Sequence, residues 1–343
     1  MPYATIDKPN LHFTAYLRNG VYAVSGTTNF TTDFQPDLSI MKVRSTTGAN
    51  DWTDAVRGAN KQIKSNTTGA EQSVSAVTAF LSNGFTITNE NDWGSGDTVV
   101  HWLFKANGAG SSNTAGSISS TVSANTTSGF SIVSYTGNGS NSTVGHGLGV
   151  APAFIIFKNR SSGTGWACYN KNIGASKYLA LNETIEAQTA TGVSNSTDPT
   201  SSVFSIGTAD RVNTNGNNYI AYCFAEVKGF SKAFSYTGNG STDGSFIYCG
   251  FLPSFVLLKR TDSAGFNWVI HDNKRDINNP DSAYLHPNTS GSESTDRDID
   301  LLSNGFKMRN SNTTWNASGG TYIGIAFAEN PFVSSKGIPT TAR

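Results

Sequence analysis

Two tryptophans stand in polar loops just ahead of strand-like runs, Trp93 in NENDWGSG and Trp315 in SNTTWNASGG. An indole flanked by Asn91 and Asp92, or by Asn312 and Asn316, combines a flat apolar face with hydrogen-bonding groups. That is the chemistry that holds a sugar ring. The competing reading is that each indole plugs the end of a β-sandwich, as Val212 would at about the same place in the middle of the chain. The remaining reactive residues gather into no catalytic pattern. His12, His101, His146, His271 and His286 are scattered, and His146, in a Gly-rich loop, reads as a turn or core residue. Asp296, Asp298 and Asp300 alternate in DRDID and could offer oxygens to calcium. The glycine and terminal glutamate of an ion-binding loop are missing, so an exposed strand face is the simpler reading. No Gly-x-Ser-x-Gly, His-Glu-x-x-His or phosphate-loop motif is present. No cofactor and no metal are expected, and the chain reads as a non-enzyme.

These candidates sit inside a repeated frame. Ser-Tyr-Thr-Gly-Asn-Gly-Ser begins at Ser134 and again at Ser235, and a degraded copy opens at Tyr16-Leu-Arg-Asn-Gly20. Asn-Gly supplies the positive φ angles of tight turns. A proline strand follows each: Pro36 to Lys42, Pro152 to Lys158 and Pro253 to Lys259. Its near-continuous apolar run implies a strand covered on both faces, with the lysine marking the exit to solvent. A tryptophan comes next, Trp52, Trp166 and Trp268. Recurrence favours a core role for it over a sugar platform. Turns at Asn66, Asn182 and Asn288 follow, then Ser82-Asn-Gly-Phe85 and Ser303-Asn-Gly-Phe306, reduced to Val203-Phe-Ser-Ile206 in the middle copy. Each copy closes on an alternating strand: Val100, Trp102, Phe104; Ile220, Tyr222, Phe224; Ile323, Ile325, Phe327.

The order of landmarks predicts an all-β chain of three tandem antiparallel β-sandwich, jelly-roll-like domains related by internal repeat. The expected bounds are residues 1–112 with an N-terminal arm, 113–229 and 230–343 with a short tail. Residues 107–128, without charge or aromatic ring, read as a flexible or extended linker. Val227-Lys-Gly229 reads as a much shorter joint.

Composition narrows the partners. Lys+Arg and Asp+Glu balance at 24 each, which argues against a nucleic-acid partner. The aromatic share of 11% argues against disorder. Purely apolar runs are far shorter than the roughly 20 residues of a membrane span, and the N-terminus shows no signal peptide. Cys168, Cys223 and Cys249, odd in number and without CxxC spacing, read as free thiols.

The opening MPYATIDKP, Phe34-Gln-Pro-Asp-Leu38, Val56-Arg-Gly-Ala59, Ser65-Asn-Thr-Thr68 and Ser123-Ala-Asn-Thr126 resemble a repeat domain of tailed-phage structural proteins of marine and cyanobacterial phages. So does Thr143-Val-Gly-His-Gly-Leu-Gly-Val-Ala-Pro152 with Lys158-Asn-Arg160. The third copy departs, with Cys249-Gly-Phe-Leu252 in place of the Gly-Leu-Gly phrase. The resemblance implies a virion-surface tail-fibre, spike or decoration protein made in the host cytoplasm. It would associate with itself as a homo-oligomer, a trimer among the options, and with other virion proteins, with host-surface glycan as the ligand class. The alternatives are a pure capsid or tail scaffold and, third, a glycan depolymerase.

Overall fold

The computed structural model describes residues 3–21, 26–74, 76–88 and 96–340. Trp93, Asn91 and Asp92 lie outside them. Helix among the described residues is confined to short turns such as Asp210–Asn213 and Thr313–Asn316. The regular structure is otherwise strand, in antiparallel sheets.

Three larger sheets carry the molecule. The first orders Phe13–Val21, Asp97–Phe104, Leu38–Val43, Asn50–Asp54 and Ile63–Lys64. The third orders Ser231–Thr237, Thr321–Pro331, Phe251–Arg260, Val269–Asp272 and Tyr284–Leu285. The second has the same centre, with Asn218–Phe224 between Phe130–Thr136 and Phe154–Asn159. Its edge is extended by Ser120–Asn125 and Ser111–Asn113. The stretch expected as a linker therefore contributes two strands to the sheet. Its Ser, Thr and Val residues suit a pleated edge, and Gly110 lets Val122 approach so closely that a Cβ would lie 2.8 Å from the Val122 backbone. Smaller sheets back the larger ones: Thr27–Thr31 with Gly84–Thr88 and Val77–Leu81, Ser142–Gly145 with Val203–Ile206, and Phe246–Tyr248 with Gly305–Met308 and Ile299–Leu302.

Period-two alternation explains how the first and second large sheets each serve two cores. In Asp97–Phe104, Leu103 packs with Phe85, Ile87 and Phe34 toward the smaller sheet. Val100, Trp102 and Phe104 face the other way, into one apolar cluster running from Ile6 to Ala328. At its centre Phe104, Phe224 and Phe327 form a triangle with centroids 5.6, 5.2 and 5.7 Å apart. Full burial of one such ring contributes roughly 1.5–3 kcal/mol. The first residues described reach both later parts of the chain: Thr5 N–H donates to Lys228 O at 3.2 Å, and Asp7 accepts from Ser335 N–H at 2.7 Å.

Three features differ from expectation. Lys42, Lys158 and Lys259 do not exit to solvent; all three are fully buried. The strand continues past each into a seam with a neighbouring segment, where backbone carbonyls receive the ammonium. Trp52 is buried like Trp166 and Trp268, but it is not their counterpart. Asn66 Oδ1 accepts from Asn50 N–H as Asn182 does from Trp166 and Asn288 from Trp268. Asn50 thus holds the tryptophan's place, and Trp52 pairs with Ile63 where Ile270 pairs with Leu285. Pro253 lies inside its strand, at a register shift, rather than at its start.

Candidate functional site

Trp315 is fully buried in the turn Thr313–Asn316. Its Nε1 donates to Asn310 Oδ1 at 2.7 Å, and its ring packs against His271 and Tyr284. The expected exposed platform does not form there, because the third-position side chain of this turn points into the sandwich. Val212 takes the same position in Asp210–Asn213 and is equally buried. Asn312 caps the turn by accepting from Thr314 N–H at 2.8 Å. Asn316, fully buried, donates to Ser241 O and Asn310 O and accepts from Asn239 N–H. Asn213 does the same work on Ser140 O, Gly207 O and Asn138 N–H. The Tyr-Thr-Gly-Asn-Gly motif is explained by this lock. Tyr135 and Tyr236 donate to Val212 O and Trp315 O, and a Cβ on Gly137 or Gly238 would strike the turn's carbonyl at 2.5 or 2.4 Å.

The histidines have structural partners. His101, fully buried, lies between Ser39 Oγ at 3.0 Å and Arg18 at 3.4 Å, and burial pushes its pKa well down. His146 receives Leu148 N–H and meets Thr200 O. His271 and Asp281 stand 3.5 Å apart, both wholly buried. Asp296 and Asp300 diverge, to Tyr284 and Arg309. No cluster of metal-ligating side chains occurs among the described residues. All three cysteines are free and buried.

The groups that sequence reading missed lie along the seams between segments. Where the second segment meets the first, Arg160 grips Glu71 through two nitrogens, at 2.8 and 3.0 Å. Arg57 continues from Glu71 at 3.3 Å to Asp54 at 2.5 Å. Tyr222 of the second segment donates to Asp54 at 2.8 Å. Where the first segment meets the third, the chain of charges recurs. Arg44 grips Glu293 at 2.9 Å through two nitrogens, Arg275 bridges Glu293 and Asp272, and Trp102 Nε1 donates to Asp272. Burial alone would raise the Asp272 carboxyl; Arg275 and Trp102 outweigh it and hold it below the ordinary value. Glu71 is likewise held down by Arg160 and Arg57 against the pull of burial.

Where the third segment meets the second, all four ionic positions are neutral. Asn170 stands for the aspartate and Ile173 for the inner arginine, since Lys171 N–H bonds Ala153 O as Ala55 bonds Asp37 O and Asn273 bonds Ser254 O. Ala187 stands for the glutamate and Thr261 for the outer arginine, because Ala187 N–H bonds Thr261 O as Glu71 bonds Arg160 O and Glu293 bonds Arg44 O. Ile325 replaces the tyrosine or tryptophan donor. Ile173, Ala187 and Thr261 line a cleft of about 640 Å³ at this seam. Asn172, Lys177 and Asp262 stand at its polar side, and Tyr236, Tyr322 and Ile323 supply further wall. Asp262 is fixed there by Arg260, at 2.9 and 3.1 Å, and by Thr321 N–H at 3.1 Å. The signal for the ionic chains was present as Asp-x-x-Arg at Asp54/Arg57 and Asp272/Arg275, and as Gly-x-Glu at Glu71 and Glu293.

The fold defines an all-β protein of antiparallel sandwich sheets. Residues 8–331 match one family model, described as a domain of unknown function (DUF7483), and the chain belongs to that family. No curated protein and no solved structure matches the chain.

Proposed function

We propose that this protein is a non-enzymatic structural component of a tailed-phage virion, a tail-fibre, spike or surface decoration protein built from three homologous sandwich units and assembling with copies of itself. The observation that carries the reading is the use made of the ionisable groups. Asp54, Arg57, Glu71 and Arg160, and again Asp272, Arg275, Glu293 and Arg44, are consumed in binding one segment to another. His101 and His146 are likewise held in the interior. A chain that joins its ends and shares one apolar core resists shear and local opening, as a particle component must. The virion assignment rests on the resemblance of its sequence phrases to phage structural proteins.

The test has two parts. Antibody raised to the protein should label purified particles at a fixed position, and sedimentation of the isolated protein should give a discrete oligomer. Particles without label, or release of reducing ends from host polysaccharide by the pure protein, would exclude this function.

A further inference from the structure

We infer that the cleft between the second and third segments is a binding site for a neutral disaccharide-sized ligand. The inference goes beyond the reading of the protein as a structural, self-assembling component, and it concerns the isolated chain.

The molecule supplies its own control. Three seams share one backbone plan, with Ala187 N–H on Thr261 O matching the contacts at the other two. Two are filled by four charged side chains. At the third, neutral residues replace all four: Asn170 is buried, and Ile173, Ala187 and Thr261 line a cleft. Loss of packing alone would favour larger apolar residues at these positions. Alanine and threonine instead keep the volume open.

The walls state the ligand's chemistry. The cleft presents one carboxylate, Asp262, and one ammonium, Lys177, so it selects neither a cation nor an anion by net charge. Asp262 is a fixed acceptor, Asn172 and Thr237 add a neutral amide and a hydroxyl, and the Thr261 and Thr321 hydroxyls bond each other at 2.8 Å beside them. Tyr236 and Tyr322 stack at 4.8 Å with their hydroxyls spent on Trp315 O and Thr313 O. Tyr236, half-buried, leaves ring carbon to the cleft, and Tyr322, 1% exposed, backs it from within. Polar hydroxyl partners beside apolar ring carbon suit a polyhydroxylated ring. The volume falls within the range of about 300–1,000 Å³ for small-molecule sites.

The experiment is saturation-transfer NMR of the intact protein with lactose, maltose and cellobiose, read together with the methyl shifts of Ile173 and Ile323. At least one disaccharide should bind at millimolar strength and move both methyls. Ala187→Arg, at a half-buried position, should fill the cleft and weaken binding at least tenfold. Asp262→Asn, on the exposed side, should weaken it about fivefold while the melting temperature holds, which covers the case in which Ala187→Arg fails to fold. The inference is overturned if none of the three sugars shifts the methyls, if Asp262→Asn leaves binding unchanged, or if a sulfated disaccharide binds tighter than lactose. Labelling of particles is unaffected by any of these results, so the two readings fail separately.

Discussion

At the seam of the first and second segments, a chain of four charges runs from Arg160 through Glu71 and Arg57 to Asp54, and Asp54 and Arg57 have no exposed side-chain surface. At the seam of the second and third, the same four places hold Thr261, Ala187, Ile173 and Asn170. The difference is what is expected if a buried ionic chain is kept or lost as a unit. Removing one member strands a charge in a low-dielectric interior, at about 3–5 kcal/mol, whereas replacing every member by neutral groups can be nearly free. The fifth member obeys the same rule. Tyr222 and Trp102 donate where an aspartate waits, and Ile325 stands where Asn170 has taken its place.

The largest effect follows directly. Arg57→Leu should destabilise the protein by about 3–5 kcal/mol, because Asp54 remains buried without its partner. Thr261→Val at the third seam should change stability by less than about 1 kcal/mol, as a half-exposed position outside any charge network. Urea unfolding measures both. Equal costs would mean that the ionic and neutral seams are held by the same forces and that the contrast is only geometric.

Much of the frame was legible in the sequence, and the reason is local. Alternation in Val100, Trp102 and Phe104 and the Asn-Gly turns are set by backbone geometry within a few residues. The seams were not legible, because Arg160 and Glu71, or Arg44 and Glu293, meet only after the segments close on one another. The buried lysines were misread for the same reason: a lysine at a strand end faces water unless a neighbour covers it. Trp52 was matched to Trp166 by type, while Asn50 held the equivalent hydrogen bond. Trp315 stayed between sugar platform and end plug because the residue types around a four-residue turn do not say which way its third side chain points; the structure gives the plug.

The shared core makes a second prediction, comparable in size. Trp166→Ala should cost about 3–5 kcal/mol, the range for a buried large aromatic. Because Trp166 packs on Trp52 across the seam and its Nε1 bonds Lys64 O, the loss should appear as one shifted transition by tryptophan fluorescence and circular dichroism together. Two separated transitions would show that the segments unfold as independent domains.

Acid should separate the seams by a smaller margin. The Glu71 carboxyl is depressed in the folded protein by Arg160 and Arg57. Its contribution is therefore present above the unfolded value, about 4.3, and is lost as pH falls through the lower folded value. Wild-type stability should drop between about pH 5 and pH 3 more steeply than that of Glu71→Gln. Parallel curves would mean that Glu71 carries no net stabilisation. Ala187, at the neutral seam, has nothing to titrate.

The finest comparison sets Lys158 against Lys259. Both are fully buried, and burial pulls each ammonium down to about 8. Lys158 is received by Thr68 O and Thr164 O at 2.9 and 2.8 Å, across the ionic seam. Lys259, at the neutral seam, reaches only Arg260 O, at 3.0 Å, among the described residues. Lys158→Met removes the same cost of burying a charge but leaves two carbonyls without their donor, so at pH 7 it should be less stable than Lys259→Met by about 1–2 kcal/mol. Lys259→Met loses one hydrogen bond and also removes the cost of burying a charge, so at pH 7 it should be neutral or stabilising by up to about 1 kcal/mol. The sign is checked by pH. A lysine lowered in the folded state disfavours folding while it must be charged, below about 8, and that cost fades as pH rises toward the unfolded value near 10.4. Any gain of Lys259→Met over wild type should thus be largest at pH 7 and shrink by pH 10, where the wild-type lysine is buried neutral. A gain that instead grew with pH would mean that Lys259 is stabilised as the ammonium, and that the third seam holds a charge as well as the other two do.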